Sequence, residues 1–445
     1  MKKAPATYTL HATRKRRGKN FRISMLNVFL CVVVLIAVHS LRYPVAEAKE
    51  YIDITSPAFK KLPIAVSEFA GSSGKEISDI IRDDLDFTGI FLCLERNAFL
   101  ETSSQPFQQK NWTIIGAEAV VKGSVGGGEG KGLLASVSLY DVTEGKEIFR
   151  KEYRTEGSLA RPLAHAVAND IYKHFTGENG IFRTRIAFVG RKGGEDSLSL
   201  MDWDGHRISD LGIKGNVLLT PRWSKDGSRL LYSSERYRQW GIYLLNFTTM
   251  TETKVFSSKG TNIAGDFFPN ADNVIFSSSV GGSPDLYMYS ISTSKLTKLS
   301  SSRGIDVSPS VSPDGSQICF VSDRDGTPQI FLMGSDGYAV RRLTFQGAYN
   351  TAPSWSPKGD KIVFSGRQGG KNHIFAINPD GSGLTQLTDR GNSEDPSFSP
   401  DGRYIVFSSD RDGDRAIYIM RANGEAQKKI TPKGIKAFGP RWSSN

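Results

Sequence analysis

The sequence predicts an all-β six-bladed β-propeller in its C-terminal part, preceded by a small α/β domain. Three observations carry this. A unit of the form P-x-[WF]-S-P-D-G followed by an alternating strand begins at Pro221, Gly265, Pro309, Pro353 and Pro396, and in fragment at Pro440. These starts are 44, 44, 44, 43 and 44 residues apart, a period that suits four short strands per repeat, each repeat burying its faces only against its neighbours. The fragment at Pro440 supplies one innermost strand, whereas Arg185–Gly215 supplies the other three of a blade, so the two parts complete one blade and bring the count to six. Closure of this kind hides the sheet edges.

The best copy of the unit, PSFSPDGRYIVFSSDRDGDRAIYIM at Pro396–Met420, shows why each piece forms. Ser-Pro-Asp-Gly is turn chemistry, Tyr404 to Ser408 alternates as a strand, Asp-Arg-Asp-Gly turns again, and Ala416 to Met420 is the next strand. Some copies depart from this pattern. Gly265 stands for the proline, Pro269-Asn270-Ala271-Asp272 for the turn and Val311 for the aromatic, which puts the regularity of two blades in question.

Ahead of the propeller, residues 61–177 alternate strands and helices. Leu62–Phe69 reads as a buried strand, and Glu76–Phe87 as a helix with Ile77, Ile80, Ile81 and Leu85 on one face, stopped by Gly89. Ile90–Leu94 is a short strand, and Phe107–Ile115 a helical turn with Trp112 inward. Ala117–Val125 and Leu133–Val142 flank a glycine-rich hairpin. Glu147–Thr155 pairs next, and Leu159–Phe175 closes the domain as a helix with Leu163, Val167 and Ile171 inward. The run Gly126–Gly132 lacks the spacing of a phosphate loop and lies between two strands.

Charge has to be located before it is interpreted. Of the net +11, residues 1–48 hold +8, from nine Lys or Arg against one Glu. The remainder is close to neutral, which excludes a nucleic-acid partner. Those first 48 residues read as an export signal: a basic region, an apolar run at Met25–Val38 and a small-x-small site with the cut after Ala48. The basic region is long, and an uncleaved anchor is the competing reading, although the apolar run falls short of the ~20 residues a spanning helix needs. Residues 49–60 then read as an extended stretch, either an ordinary edge strand or a free arm suited to pairing with a partner's sheet edge. Cys93 and Cys319 lie in apolar runs of different domains and read as core residues rather than a disulfide.

Catalytic patterns are missing. No serine has glycine both two before and two after it, and no pair of histidines has His-Glu-x-x-His spacing. The Asp-Arg-Asp-Gly runs at Asp323 and Asp410 lack the distal glutamate of a calcium loop and stand where a turn is required. No cofactor or metal is expected. In a four-strand meander the segments before each unit start share a face with the Asp-Arg-Asp-Gly turns and line the mouth of the channel, and they vary between copies. That rim is the candidate partner site: Thr261, Asn262, Ile263 and Ala264; Asp306, Val307 and Ser308; Tyr349, Asn350 and Thr351; Glu394 and Asp395; and Phe438.

The export signal, the α/β domain, the run FRTRIAFV at Phe182–Val189 and the blades closed by PRWS at Pro440 together resemble the TolB family, the propellers of the Tol-Pal system. The resemblance implies a monomeric, non-enzymatic protein of the Gram-negative periplasm. It implies docking of the peptidoglycan-associated lipoprotein Pal on the channel mouth, foremost at Thr261–Ala264 and Asp306–Ser308, in competition with Pal's grip on peptidoglycan. It further implies that TolA engages the arm through Lys49, Glu50, Tyr51, Ile52, Asp53, Ile54 and Thr55, and that the system supports outer-membrane integrity and constriction at division. The alternative is an exported propeller that binds a small molecule, which requires convergent charged or metal-ligand side chains inside the channel, or one that binds peptides and tolerates many of them.

Overall fold

The computed structural model describes residues 60–127, 132–156, 159–215 and 217–444. The signal segment and the arm residues Lys49–Thr55 lie outside the described residues. Among the described residues no helix is long and apolar enough to cross a membrane.

The N-terminal domain is a five-stranded mixed sheet built from β1 (Leu62–Val66), β2 (Phe91–Cys93), β3 (Ala119–Gly127), β4 (Leu133–Asp141) and β5 (Lys146–Thr155), in the order β2-β1-β3-β4-β5. β1 runs parallel to both neighbours, and the rest is an antiparallel meander. Helices α1 (Gly74–Thr88) and α3 (Ala160–Thr176) cover one face, with the isoleucines of α1 and Leu163, Val167 and Ile171 of α3 in a common core. Both helices end at a glycine in the left-handed region, Gly89 and Gly177, where a side chain would be strained. Short α2 (Gln109–Ile114) lies over the other face with Trp112 fully buried. The Trp112 indole and Lys122 both donate to the buried Glu101 carboxylate, at 3.0 and 2.8 Å.

Residues 185–444 form six four-stranded antiparallel sheets around an axis. The innermost strands are Val217–Trp223, Asn262–Phe267, Asp306–Val311, Asn350–Trp355, Ser393–Phe398 and Lys436–Trp442, and they define blades 1 to 6. Blade 6 is the split one: Lys436–Trp442 pairs with Arg185–Lys192, Trp442 opposite Ile186. The seam is also tied by side chains, with the Arg185 amide donating to Ser443 Oγ at 2.9 Å and the Trp442 indole to Thr184 Oγ1 at 2.7 Å. The departures at blades 2 and 3 leave the strand order intact. Ala271 takes φ +55°, the left-handed conformation that Gly227, Gly315, Gly359 and Gly402 supply in the other turns. Gly265 has its own cause: a Cβ there would stand 2.4 Å from Pro309 of the next blade.

The α/β domain sits on the Ser-Pro-Asp-Gly face of blades 5 and 6. Phe87 at the end of α1 stacks on Tyr404 at 5.2 Å and meets Trp203 at 5.2 Å. Arg421 donates to the Phe87 carbonyl, Arg403 to Glu178, and Arg161 of α3 to Asp204. One apolar cluster runs from Ile64 and Leu163 through Trp203 into Val406, Ile419 and Trp442. The two domains therefore share a core, and the opposite face of the propeller stays free of the α/β domain.

Candidate functional site

That opposite face is assembled from two sets of loops, which the hydrogen bonds lock together. In blade 3 the first aspartate of Asp-Arg-Asp-Gly, Asp323, accepts the Ile305 amide at 2.6 Å, and in blade 5 Asp410 accepts the Asn392 amide at 2.7 Å. Blade 2 has Ser279 at this position, which accepts from the Thr261 amide at 2.9 Å. The arginine of the motif turns inward. Arg324 stacks over Phe320 and Phe331 and donates to both oxygens of Asp306 at 3.0 Å, and Arg411 stacks over Phe407 and Tyr418 and reaches Ser393. These turns brace the rim, which is why acidic residues recur there.

The bracing sorts the rim residues by depth. Three residues before each unit start, Asn262, Asp306 and Asn350 are almost wholly buried. Asn262 donates to the Trp240 and Ser258 carbonyls, and Asn350 to Gln329 and the Gln346 carbonyl. Ala264 is buried too, its amide on Ser233 Oγ of the preceding blade at 2.7 Å. Ile263, Val307, Ser308, Thr351, Glu394, Asp395 and Phe438 are half-buried. Val307 packs against the blade 4 cluster, Glu394 is held by Arg415 and Asn372, and Phe438 lies under Arg191. Only Thr261 and Tyr349 of the predicted set are exposed.

Of the prominent side chains of this face, the sequence names Tyr349 in the predicted rim and misses the others. Ile305, Phe345 and Tyr349 in the loops before the inner strands, with Tyr237 and Val280 in the turns beside them, are exposed large apolar residues. They are spread over the loops of blades 1 to 4 on this face. Ile305, one position before Asp306, and Phe345, four before Tyr349, are legible in the sequence as apolar residues in a loop.

The inner strands also carry an unforeseen bulge. Ser308, Ala352, Asp395 and Gly439, each just before the unit proline, have φ of 50–58°, and the pairing register slips beside each of them. Such a bulge bends its strand and re-aims the following side chain. The residue after the proline then points at the axis: Arg222, Asp266, Ser310, Ser354, Ser397 and Arg441 line a cavity of about 360 Å³ toward the Ser-Pro-Asp-Gly end. Neighbouring blades are stitched through this position. The Val311 amide donates to Asp266 at 3.0 Å, and the Trp223 indole donates to the Arg441 carbonyl at 3.1 Å.

A family profile described as the TolB beta propeller domain matches residues 172–445. The chain belongs to the TolB family. A second profile, the TolB amino-terminal domain, matches residues 50–148. The chain is similar to the "Tol-Pal system protein TolB" of Anaeromyxobacter dehalogenans, 36% identical over 253 residues, which is 54% of this chain and 57% of the relative. A relative of the same name from Roseobacter denitrificans is 34% identical over 224 residues, covering 47% of this chain and 50% of its own length. The aligned part thus spans about half the length of these curated relatives. The crystal structure of TolB from Acinetobacter baumannii superposes with a TM-score of 0.79 at 27% identity, over 87% of this chain and 97% of that one. The TolB architecture, an α/β domain fused to one face of a six-bladed propeller, therefore extends across the described part of the chain.

A buried ionic cluster marks the seam between the two TolB domains. His165 of α3 lies 2.7 Å from Asp84 of α1 through Nδ1 and 3.4 Å from Asp204 of blade 6 through Nε2. Burial, the largest effect, pulls the imidazole down, but the two carboxylates outweigh it and raise its pKa from 6.5 to about 9. His165, Asp202 and Asp204 are close enough to share a metal. Arg207 already holds Asp202 in two bonds and Arg161 holds Asp204, so guanidinium groups supply the positive charge there.

Proposed function

We propose that the chain is a periplasmic, non-enzymatic docking scaffold of the Tol-Pal system. The lipoprotein Pal binds on the propeller face away from the α/β domain, TolA engages the arm at Lys49–Thr55, and the assembly supports outer-membrane integrity and constriction at division. The relatives' name supports the system, and the observation that carries the site is the braced rim with Ile305, Phe345 and Tyr349 exposed on it. A rigid frame presenting apolar anchors binds without spending free energy on ordering its loops. Among the rim residues, the exposed ones make the contacts, and the buried Asn262, Asp306 and Asn350 hold the loops that present them. Aromatic anchors of this kind dominate interface energetics.

The test is calorimetric titration of the protein with the soluble domain of Pal from the same organism. One-to-one binding, weakened about tenfold or more by Tyr349→Ala or Phe345→Ala with melting temperature unchanged, is the expected result. Binding that both variants leave intact moves the site off this face. Failure of the wild-type protein to bind overturns the functional reading.

A further inference from the structure

Among the described residues, the axial cavity contains two buried charges without an ion-pair partner. Arg222 of blade 1 and Arg441 of blade 6 occupy the same position in adjacent repeats and are 8% and 6% exposed. A guanidinium offers five donors. Here Nη1 of Arg222 donates to the Pro221 carbonyl at 3.2 Å, and Nη1 of Arg441 to the Asp395 and Pro440 carbonyls at 3.0 and 2.6 Å. Among the described residues neither arginine forms an ion pair, although buried charges are ordinarily paired. Asp266 and Asp395 offset the charge from a distance. The oxygens of Asp266 are committed to the Phe267 amide, the Val311 amide and Ser310 Oγ, at 2.9, 3.0 and 3.1 Å.

Repulsion between the two guanidinium groups is a further cost. Burial first, and the neighbouring Arg222 second, push the Arg441 pKa down to about 9. A small anion between them removes both penalties at once, and the fork of each arginine matches a planar or tetrahedral oxyanion in two bonds. Ser354 of blade 4 adds a hydroxyl to the lining of the cavity. The mouth of this cavity, at Pro357 and Pro400, is shared with the crevice formed by Gly177, Glu178 and Asn179 at the end of α3, so a ligand enters on the side of the α/β domain.

We infer that the channel of this propeller is a binding site for a small oxyanion, inorganic or the carboxylate of a small acid, clamped between Arg222 and Arg441. The site lies at the opposite end of the axis from the Pal-docking rim, and its occupancy is independent of that reading.

The experiment is calorimetric titration of the full chain with inorganic phosphate and, separately, with acetate, each at fixed ionic strength balanced with chloride. Saturable binding of at least one anion with Kd of about 1 mM or tighter is expected. Arg441→Gln and Arg222→Gln are expected to weaken it about tenfold or more. The order of phosphate and acetate identifies the class of ligand. Where a glutamine variant does not fold, Arg222→Lys keeps the charge and loses the fork, and is expected to weaken binding in the same direction. Absence of saturable binding above chloride for both anions, or unchanged affinity in all arginine variants that fold, overturns the proposal. Titration of the same variants with Pal reports on the rim alone and separates the two failures.

Discussion

Replacing Asp306 with alanine is expected to loosen the rim rather than to delete a contact. The carboxylate is fully buried and bonded twice to Arg324 at 3.0 Å, with Ser302 Oγ donating at 3.2 Å. Breaking a buried ion pair from one side costs about 3–5 kcal/mol when the stranded partner stays buried. Arg324 is 21% exposed and stacked on two aromatic rings, so it rehydrates in part. The cost therefore falls to about 2–3 kcal/mol, which is a melting shift of about 3–5 °C for a cooperative unit of this size. Thermal melts and urea titrations of the wild type, Asp306→Ala and Asp306→Ala/Arg324→Met measure it. The double variant is expected to recover part of the loss, because it no longer strands a charge. Asp306→Ala with an unchanged melting temperature and abolished Pal binding would show a direct contact and refute the reasoning.

Stability is also expected to depend on pH through His165. Its folded pKa is raised from 6.5 to about 9, so its contribution is complete below pH 6.5 and is lost as the pH rises to about 9. Asp84, raised to about 6 chiefly by burial, acts with the same sign. Urea midpoints at both ends of that window should fall with pH in the wild type and change less in His165→Gln. At Gly391, φ is +61° and a Cβ would lie 2.6 Å from Arg411 Cα, so Gly391→Ala is expected to cost about 1–3 kcal/mol in a thermal melt. Trp442→Phe keeps the ring but leaves Thr184 without the indole donor, and is expected to lower the urea midpoint by the equivalent of about 1–2 kcal/mol.

The repeat made the architecture readable before any coordinates. A period near 44 and the complementary fragments at Arg185 and Pro440 give six blades and their seam, because strand and turn chemistry are local. Depth within the rim was not readable in the same way. Asn262, Asp306 and Asn350 look like polar loop residues, and only the fold reveals that they are braced, Asp306 by Arg324 in the turn 18 residues later, Asn262 by the Trp240 carbonyl and Asn350 by Gln329 of the preceding blade. The axial arginines were hidden for a related reason. Arg222 and Arg441 follow a proline and precede a tryptophan in an alternating strand, but their direction depends on the break in pairing register beside that proline. Nothing in the composition of Ser308, Ala352 or Asp395 announces a left-handed backbone.

The seam of blade 6 sets the order of events when the chain folds. Ser443 meets Arg185 across a separation of 258 residues, so this sheet forms only after blades 1 to 5 have been synthesised and brought round. Contacts of such long range slow folding, since the entropy of closing the loop is spent before the pairing returns it. The α/β domain shares its core with that last blade through Trp203 and Trp442, and its docking waits on the same event. Until Lys436–Trp442 arrives, the ring remains open along one edge and the domain seam lacks one of its walls. Ring closure and completion of the domain seam thus depend on the same strand, and substitutions at the seam are expected to act on the rate of reaching the native state as well as on its depth.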